Sequence, residues 1–505
     1  MAVPGLIITP LCRQRRRCFS GTLSAMPVHS GVMLSPSTYP SLDEPLAIPV
    51  STQRFANPQL IAWNAPLAAA LGMNGLEDDR DRLARQFSGT EALPGTQPVA
   101  LAYAGHQFGH FVPSLGDGRA ALLGEVDVAG ARFDLQLKGA GRTPFSRGGD
   151  GRSAMGPVLR EYLLSEAMHA LGVPTTRALA AVATGDTVVR DALTPAAVLT
   201  RVAASHLRVG SFEYYAVRGD KAAVQSLLDY SISRHEPELA ELTLDERVAQ
   251  FLAGVAGRQA ALIAAWMSIG FIHGVMNTDN TAISGETLDY GPCAFMDEFK
   301  RQKVFSSIDR GGRYSYSNQP GIAQWNLARL ADCLLLISED RDRLESIVVE
   351  FAEQYGAAYL ERMAPKFGFA TPLTGDNELF DEFLSMLEEG GLDFTLSFRQ
   401  LIERVNATDD AAFGDFEYRW RERLRAESEF SPEVAVDRMS SANPLYIPRN
   451  HQVEAVIQAA ESGDLKPFAT LGEVLAEPFN DRVGFESYAE APAPEQRVTR
   501  TFCGT

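Results

Sequence analysis

Alternation of apolar and polar positions is cleanest over residues 132–138, RFDLQLK. Phe133, Leu135 and Leu137 fall on one side and Asp134, Gln136 and Lys138 on the other, the period of a strand with one buried face. A second apolar run, 120–126, precedes it with Ala129-Gly130 between them, so the two predict a β-hairpin that ends on Lys138. Apolar runs at 99–103, 178–184, 187–190 and 197–203 predict further strands, the last three separated by Gly185-Asp186 and Thr194-Pro195. One helix is set into this β-rich stretch at 156–171. Pro157 suits its first turn, Leu159, Leu163 and Ala167 share a face, and Gly172 and Pro174 stop it. A further helix is expected at 59–71, ended by Gly72.

From Asp220 onward the period lengthens to that of a helix. Helices are expected at 220–235, 244–268, 319–337, 338–363, 377–389 and 416–425, and another opens within ANPLYIPRNHQVEAVI, residues 442–457. Between the second and third lies 271–299, where Asp279, Asn280 and Asp289 stand on turns between apolar runs, with a short strand expected at 281–283. The pattern reads as an α+β chain in four parts. These are an extension (1–40), a β-rich N-terminal lobe (41–210), a helical lobe (211–430) and a C-terminal extension (431–505).

Composition narrows the setting. The chain has 505 residues, 45% hydrophobic and 22% charged, enough for substantial cores, and a net charge of −18. An acidic surface argues against general binding of nucleic acid or of an anionic membrane. No uninterrupted apolar run of about eighteen residues occurs, so no membrane span is expected. Five scattered cysteines (Cys12, Cys18, Cys293, Cys333 and Cys503) do not make a disulfide framework, which points to a reducing compartment. Residues 1–42 lack acidic side chains and carry Arg13, Arg15, Arg16 and Arg17. They read as an upstream start ahead of Met26 or Met33, giving a cytoplasmic protein, or as a transit peptide, giving a mitochondrial one. Cys503, near the C-terminal end, is expected to be accessible to oxidants.

The candidate chemistry is spread over both halves. Gly105, Gly109, Gly116 and Gly118 precede the strand at 120–126, with Arg119 at its start. Such glycines make turns, or let backbone N–H groups approach a phosphate closely. His106 and His110 have i, i+4 spacing, but Gly109 and the lack of a third ligand argue against zinc. Residues 139–153 hold five glycines with Arg142, Arg147 and Arg152, a cationic loop suited to a polyphosphate or a solvated linker. Lys138 ends a strand and Glu161 lies on the following helix. Asp279, Asn280 and Asp289 are oxygen donors that suit a hard divalent cation, or simply turn residues. Glycine loop, strand lysine, helix glutamate, Asn280 and the Asp289-Tyr290-Gly291 turn follow the order of parts in a protein kinase-like ATP site. In that order Lys138 contacts phosphates, Glu161 holds Lys138, and Asn280 and Asp289 hold the metal. One part departs from it. In His273-Gly274-Val275, five residues before Asn280, valine takes the position of the usual catalytic aspartate, and Asp279 is the nearest substitute.

These residues, with the blocks YAGHQFG and LGDGRA (103–120), LQLKGAGRTPFSR and GDGR (135–152), REYLLSEAMHALGVPTTRAL (160–179), GVMNTDN (274–280), LDYGPCAFMD (288–297), QWNLARLA (324–331) and NPLYIPRNH (443–451), resemble the selenoprotein O family of kinase-like protein adenylyltransferases, formerly classed as pseudokinases. The resemblance covers about residues 45–505. It implies a bilobal protein kinase-like fold and ATP bound in an inverted orientation, so that AMP passes to Ser, Thr or Tyr hydroxyls of proteins and pyrophosphate leaves. It further implies that Gly116, Gly118, Arg119, Lys138, Asp150, Gly151, Arg201 and Arg208 contact the nucleotide, and that Glu161 partners the lysine. Asn280 and Asp289 would bind Mg²⁺ or Mn²⁺, and Asp279 would accept the proton. A monomer acting on protein substrates is expected, with no nucleic-acid or membrane partner. The rival readings are a UMP-transferring variant, a conventional kinase, and a non-catalytic ATP-binding scaffold suggested by Val275.

Overall fold

The computed structural model describes residues 34–502 apart from 40, 41, 43, 44, 191, 409, 410 and 429. Most of the expected extension, with its arginines, and Cys503 lie outside the described residues. Leu34 and Tyr39 are buried, so the packed chain reaches back ahead of residue 41.

The strands are β1 (Ala47–Pro49), β2 (Gln59–Trp63), β3 (Val99–Leu101), β4 (Gly105–Gln107), β5 (His110–Val112), β6 (Ala120–Val128), β7 (Ala131–Lys138), β8 (Ser153–Ala154), β9 (Arg177–Val189) and β10 (Leu193–Ala203). All but β4 and β5 join one antiparallel sheet in the order β1-β3-β6-β7-β10-β9-β2, with β8 against β10. The expected hairpin is β6–β7. Its turn residues Ala129 and Gly130 both have positive φ, the backbone twist that a tight hairpin favours. Lys138 sits opposite Ala120 on one side and Leu199 on the other, inside the sheet rather than at its edge.

Both faces of β7 are covered. Leu135 and Leu137 enter an apolar cluster with Leu67 and Phe87, on helices α1 (Ala65–Ala70) and α2 (Arg80–Phe87). The opposite face, polar in sequence, is also buried, with Asp134 and Gln136 at 0% exposure. Burying polar groups is tolerable only where partners meet them, and this face is where the charged residues of both halves converge. Helix α3 (Met155–Ala170) lies against β9 and β10.

Three expectations need correction. Residues 59–71 do not form one helix. Residues 59–63 instead pair with β9 at the sheet edge, and Asn64 caps the short α1 by accepting from the Leu67 N–H. Here an open ladder outweighs local propensity. Residues 178–184 and 187–190 are one strand, β9, which runs through Gly185 at φ 79° without turning back. The strand expected at 281–283 reduces to a single bridge, Ala282 with Arg208, because its partner is only a short connector into helix α4 (Val209–Ala216).

The helical half contains α5 (Lys221–His235), α6 (Leu244–Ser268), α7 (Gln319–Leu334) and α8 (Arg341–Met363). Helix α6 is long and apolar enough to cross a membrane, but 67% of its apolar window is buried, and it packs against α7 and α8 as a core helix. A small ribbon, β11 (Phe271–Ile272) with β12 (Ala294–Phe295), frames the segment that carries Asp279 and Asp289. The C-terminal helices Asn450–Glu461 and Lys466–Ala476 return to pack on α3. The rings of Tyr162 and Phe468 lie 5.8 Å apart.

Candidate functional site

Four charged side chains from four segments meet over the buried polar face of β7. Lys138 Nζ donates to Glu161 Oε2 at 2.8 Å and also to Asp289 Oδ1. Arg201, opposite Gln136 on β10, donates from Nε to Glu161 Oε1 at 2.8 Å and from Nη2 to Asp289 Oδ1 at 2.6 Å. Each carboxylate therefore bridges the same two cations. Burial pushes the Glu161 and Asp289 carboxyls up, but Arg201 and Lys138 outweigh it in both, and Arg208 adds to the effect at Asp289. Glu161 is held below the usual carboxylate range and Asp289 well below it. The sequence pairs Lys138 alone with Glu161; in the structure Arg201 shares that carboxylate.

Arg208 adjoins this cluster. It is 2% exposed, its guanidinium lies 4.2 Å from the centre of the Tyr103 ring, and Nε donates to the His206 carbonyl at 3.2 Å. Asp117, not anticipated from sequence, is buried beside it and accepts from Leu101 N–H and Gln136 Nε2. Burial raises its pKa against the pull of Arg208.

The Asp289 turn is held from behind. Asp289 has φ 65°, a left-handed conformation that aspartate tolerates better than bulky residues. Tyr290 is buried and its hydroxyl meets Thr175. His273, stacked on Trp266, donates from Nε2 to the Leu288 carbonyl at 2.9 Å, and so couples the Asp289 turn to the Asp279 turn. Burial lowers the His273 pKa, favouring the neutral ring, whose Nδ1 accepts from Val275 N–H at 3.4 Å. Asn280 Nδ2 donates to the Val275 carbonyl at 3.0 Å, which leaves the amide oxygen as its acceptor group. Among the described residues no three His, Cys, Asp or Glu side chains gather as a metal cluster. Asn280 and Asp289 thus offer a sparse oxygen donor set. Such a set fits a hard cation that takes its remaining ligands from phosphate and water.

Asp279 lies on a 3₁₀ turn, Thr278–Asn280, with 8% of its surface exposed. The β4–β5 hairpin docks on this turn. His106 N–H donates to Thr278 Oγ1 at 2.7 Å, Phe108 N–H to Asn277 Oδ1 at 3.1 Å, and Gln107 Nε2 to Asp279 Oδ2 at 3.4 Å. Glu213 of α4 receives His106 Nδ1 and Thr278 Oγ1, both at 2.5 Å. Gly105 is required here, since a Cβ would come 2.9 Å from Asp279 Cβ. Oδ1 of Asp279 is buried without a hydrogen-bond partner among the described residues. Burial pushes the Asp279 pKa up, only partly opposed by Arg208, to about 6.

Gly116 and Gly118 allow a different approach. A Cβ on Gly116 would strike the Phe145 ring, and one on Gly118 would lie 2.9 Å from the Phe145 carbonyl oxygen. Thr143 and Ser146 hydroxyls donate to the carbonyls of Asp117 and Gly118, so the loop at 139–153 is stitched to the one before β6. Arg119 is half-buried at that junction, and its carbonyl accepts from Gly139 N–H at 2.7 Å. Asp150 forms a two-pronged pair with Arg190 at 2.9 and 3.1 Å, and these hydrogen bonds lower its pKa. Gly151 takes a left-handed turn packed on the Gly141 backbone. Asp150 and Gly151 are therefore tied to Arg190 and the glycine loop, and among the described residues no hydrogen bond joins them to the Lys138 cluster. Gln107, Asn277, Glu213 and Arg190 were not singled out in the sequence. Gln107 and Asp279 are 172 positions apart, and no local pattern links them.

Comparison with known proteins adds an independent finding. The sequence profile of the family described as "Protein adenylyltransferase SelO" matches residues 35–476. A "Protein nucleotidyltransferase YdiU" of Rhodopseudomonas palustris is 52% identical over 477 residues, covering 90% of this chain and 96% of the relative. The proteins of the same name from Bradyrhizobium diazoefficiens and Rhizobium leguminosarum bv. trifolii are 50% and 52% identical, over 93% and 89% of this chain and 98% and 93% of theirs.

Proposed function

This chain belongs to the SelO family of protein adenylyltransferases and is a protein nucleotidyltransferase that uses ATP, and we propose that the residues gathered around Lys138 and Asp279 carry the transfer. The observation that carries the assignment is the Lys138–Glu161 pair closed by Asp289 from the Asp-Tyr-Gly turn. A strand lysine, a helix carboxylate and a turn carboxylate on one side of an antiparallel sheet support a bilobal kinase-like arrangement, with ATP between the lobes.

Lys138, Arg201 and Arg208 supply positive charge to the phosphates, and the stitched glycine loops at Gly116, Gly118 and Arg119 bring backbone close to them. Asp150 and Gly151 shape the outer turn of that loop. Mg²⁺ or Mn²⁺ would be held by Asn280 and Asp289 and would neutralise charge on the phosphate oxygens. Asp279 accepts the proton of a Ser, Thr or Tyr hydroxyl as its oxygen bonds to the α-phosphorus. The bond from that phosphorus to the bridging oxygen breaks, pyrophosphate leaves, and AMP stays on the protein as a phosphodiester. Val275, buried and without a proton-accepting group, disfavours the ordinary kinase placement of the base.

ATP labelled at the α-phosphate should mark acceptor protein, and ATP labelled at the γ-phosphate should not. The opposite pattern identifies a kinase, and no label from either position identifies a scaffold. Asp289→Asn, checked for an unchanged thermal unfolding profile, should abolish α-labelling; full labelling would remove Asp289 from the site. Competition by UTP in the same assay reports the base preference.

A further inference from the structure

The tip of the β4–β5 hairpin carries a cationic and aromatic ridge that the transfer mechanism does not use. Arg313 lies across the hairpin tip, with its guanidinium carbon 3.5 Å from where a Gly109 Cβ would stand. The same guanidinium is 4.8 Å from the centre of the Trp325 ring, and Arg329 approaches that ring at 5.1 Å. His106 meets Trp325 edge-on at 5.2 Å. The ridge is tied directly to the candidate base loop. Tyr314, next to Arg313, donates from its hydroxyl to Asn277 Oδ1 at 2.7 Å, and Gln107 reaches Asp279.

The carboxylates nearby are already committed. Asp309 accepts from the Arg313 and Tyr314 N–H groups at 2.9 and 2.8 Å, Asp332 pairs with Arg329 at 3.0 Å, and Glu213 faces His106 from behind. Arg313 makes no ion pair among the described residues, and its Nε is buried without a hydrogen-bond partner. Stacking fixes a guanidinium in place while leaving its outer N–H edge free to form a forked bond with a carboxylate. Arg310, three positions before Arg313, and His110, next to Gly109, are exposed. On a chain of net charge −18, a local positive ridge gives an acidic partner one favourable direction of approach.

We propose that the Arg313–Trp325 ridge is a docking surface for the acceptor protein, recognising an Asp or Glu side chain near the hydroxyl to be modified. The proposal rests on the transferase reading, but its test does not require transfer. Fluorescent twelve-residue peptides with a central serine flanked by glutamates, or by lysines, are titrated with the full-length protein and followed by anisotropy, and ATP affinity is measured in parallel. The wild type should bind the glutamate peptide at least tenfold more tightly than the lysine peptide. Arg313→Glu should erase that difference, Arg313→Lys should retain part of it, and Arg329→Glu, on a separate element, should weaken it in the same direction. ATP affinity should stay constant throughout.

Equal binding of the glutamate peptide by wild type and Arg313→Glu, or no binding of either peptide by the wild type, would overturn the proposal. So would a loss of ATP affinity in Arg313→Glu, which would assign the guanidinium to a nucleotide phosphate. Failure of the transferase reading would instead appear as absent α-label with peptide binding intact.

Discussion

Val275 and Asp279 stand four positions apart in one turn-rich segment, and only one of them can take a proton. Burial without a full set of partners lifts the Asp279 pKa to about 6, close to working pH, where a base has both the correct charge and useful basicity. Transfer should therefore rise with pH through about 6 and then level off. Asp279→Asn should lower kcat by about 10²–10⁴-fold and remove that limb of the profile. The linkage to stability has the opposite sign. The folded carboxyl holds its proton more tightly than the unfolded one, so its ionisation costs stability as pH rises. Asp279→Asn should accordingly raise Tm at pH 8, and the gain should fade as pH falls from about 6 towards the ordinary carboxylate range. A variant that loses activity and stability together at pH 8 would argue for a purely structural aspartate. The residue types were legible in the sequence, but the missing partner of Oδ1 was not, because absence of a partner is a property of the surroundings.

At the scale of elements, the hairpin β4–β5 and the turn at Thr278–Asn280 act as one unit. The glycines of YAGHQFG suggested either turns or phosphate contact. In the structure, Gly105 lets the hairpin seat against Asp279, Gly109 supplies a left-handed backbone at the tip beneath Arg313, and Gly116 and Gly118 admit Phe145. Gly105→Ala should displace Asp279 and lower kcat by at least about tenfold, the scale expected when a catalytic group is misplaced. ATP affinity, measured by equilibrium binding, should change little; a selective loss of ATP affinity would place Gly105 with the nucleotide instead. Strand β7 carries a related lesson. Its period, that of a strand with one buried face, was legible, but the polar face is buried as well. It is buried because α3, β10 and the Asp289 turn bring their own charges to it.

At the scale of the molecule, the C-terminal part is a brace rather than an appendage. Arg449, fully buried, donates to Asp297 at 2.6 Å and to Asp393 at 2.8 Å, and Asn450 Nδ2 donates to the Phe295 carbonyl. Arg160 of α3 donates to the Gly291 carbonyl at 3.1 Å and reaches Glu454, so the helix bearing Glu161 is held between the Asp289 turn and the C-terminal helices. Arg449→Met leaves two neighbouring carboxylates without their cation. It should cost about 3–5 kcal/mol in chemical denaturation, the range for breaking a buried ion pair by removing one partner. A loss below about 1 kcal/mol, the range of surface pairs, would mean that the brace is not needed.

The sequence alone determined the hairpin ending in Lys138, the helix bearing Glu161, the apolar helices of the second half and the family to which the chain belongs. Those features are written in local periodicity, in turn residues and in motifs a few positions long. The tertiary structure decided that 59–63 would be a strand, that Arg201 would share Glu161 with Lys138, that Gln107 and Glu213 would flank Asp279, and that Asp150 would pair with Arg190. Each of these depends on which surface a distant segment presents. A sheet edge, a buried polar face or a vacant hydrogen-bond position exists only once the chain has closed on itself.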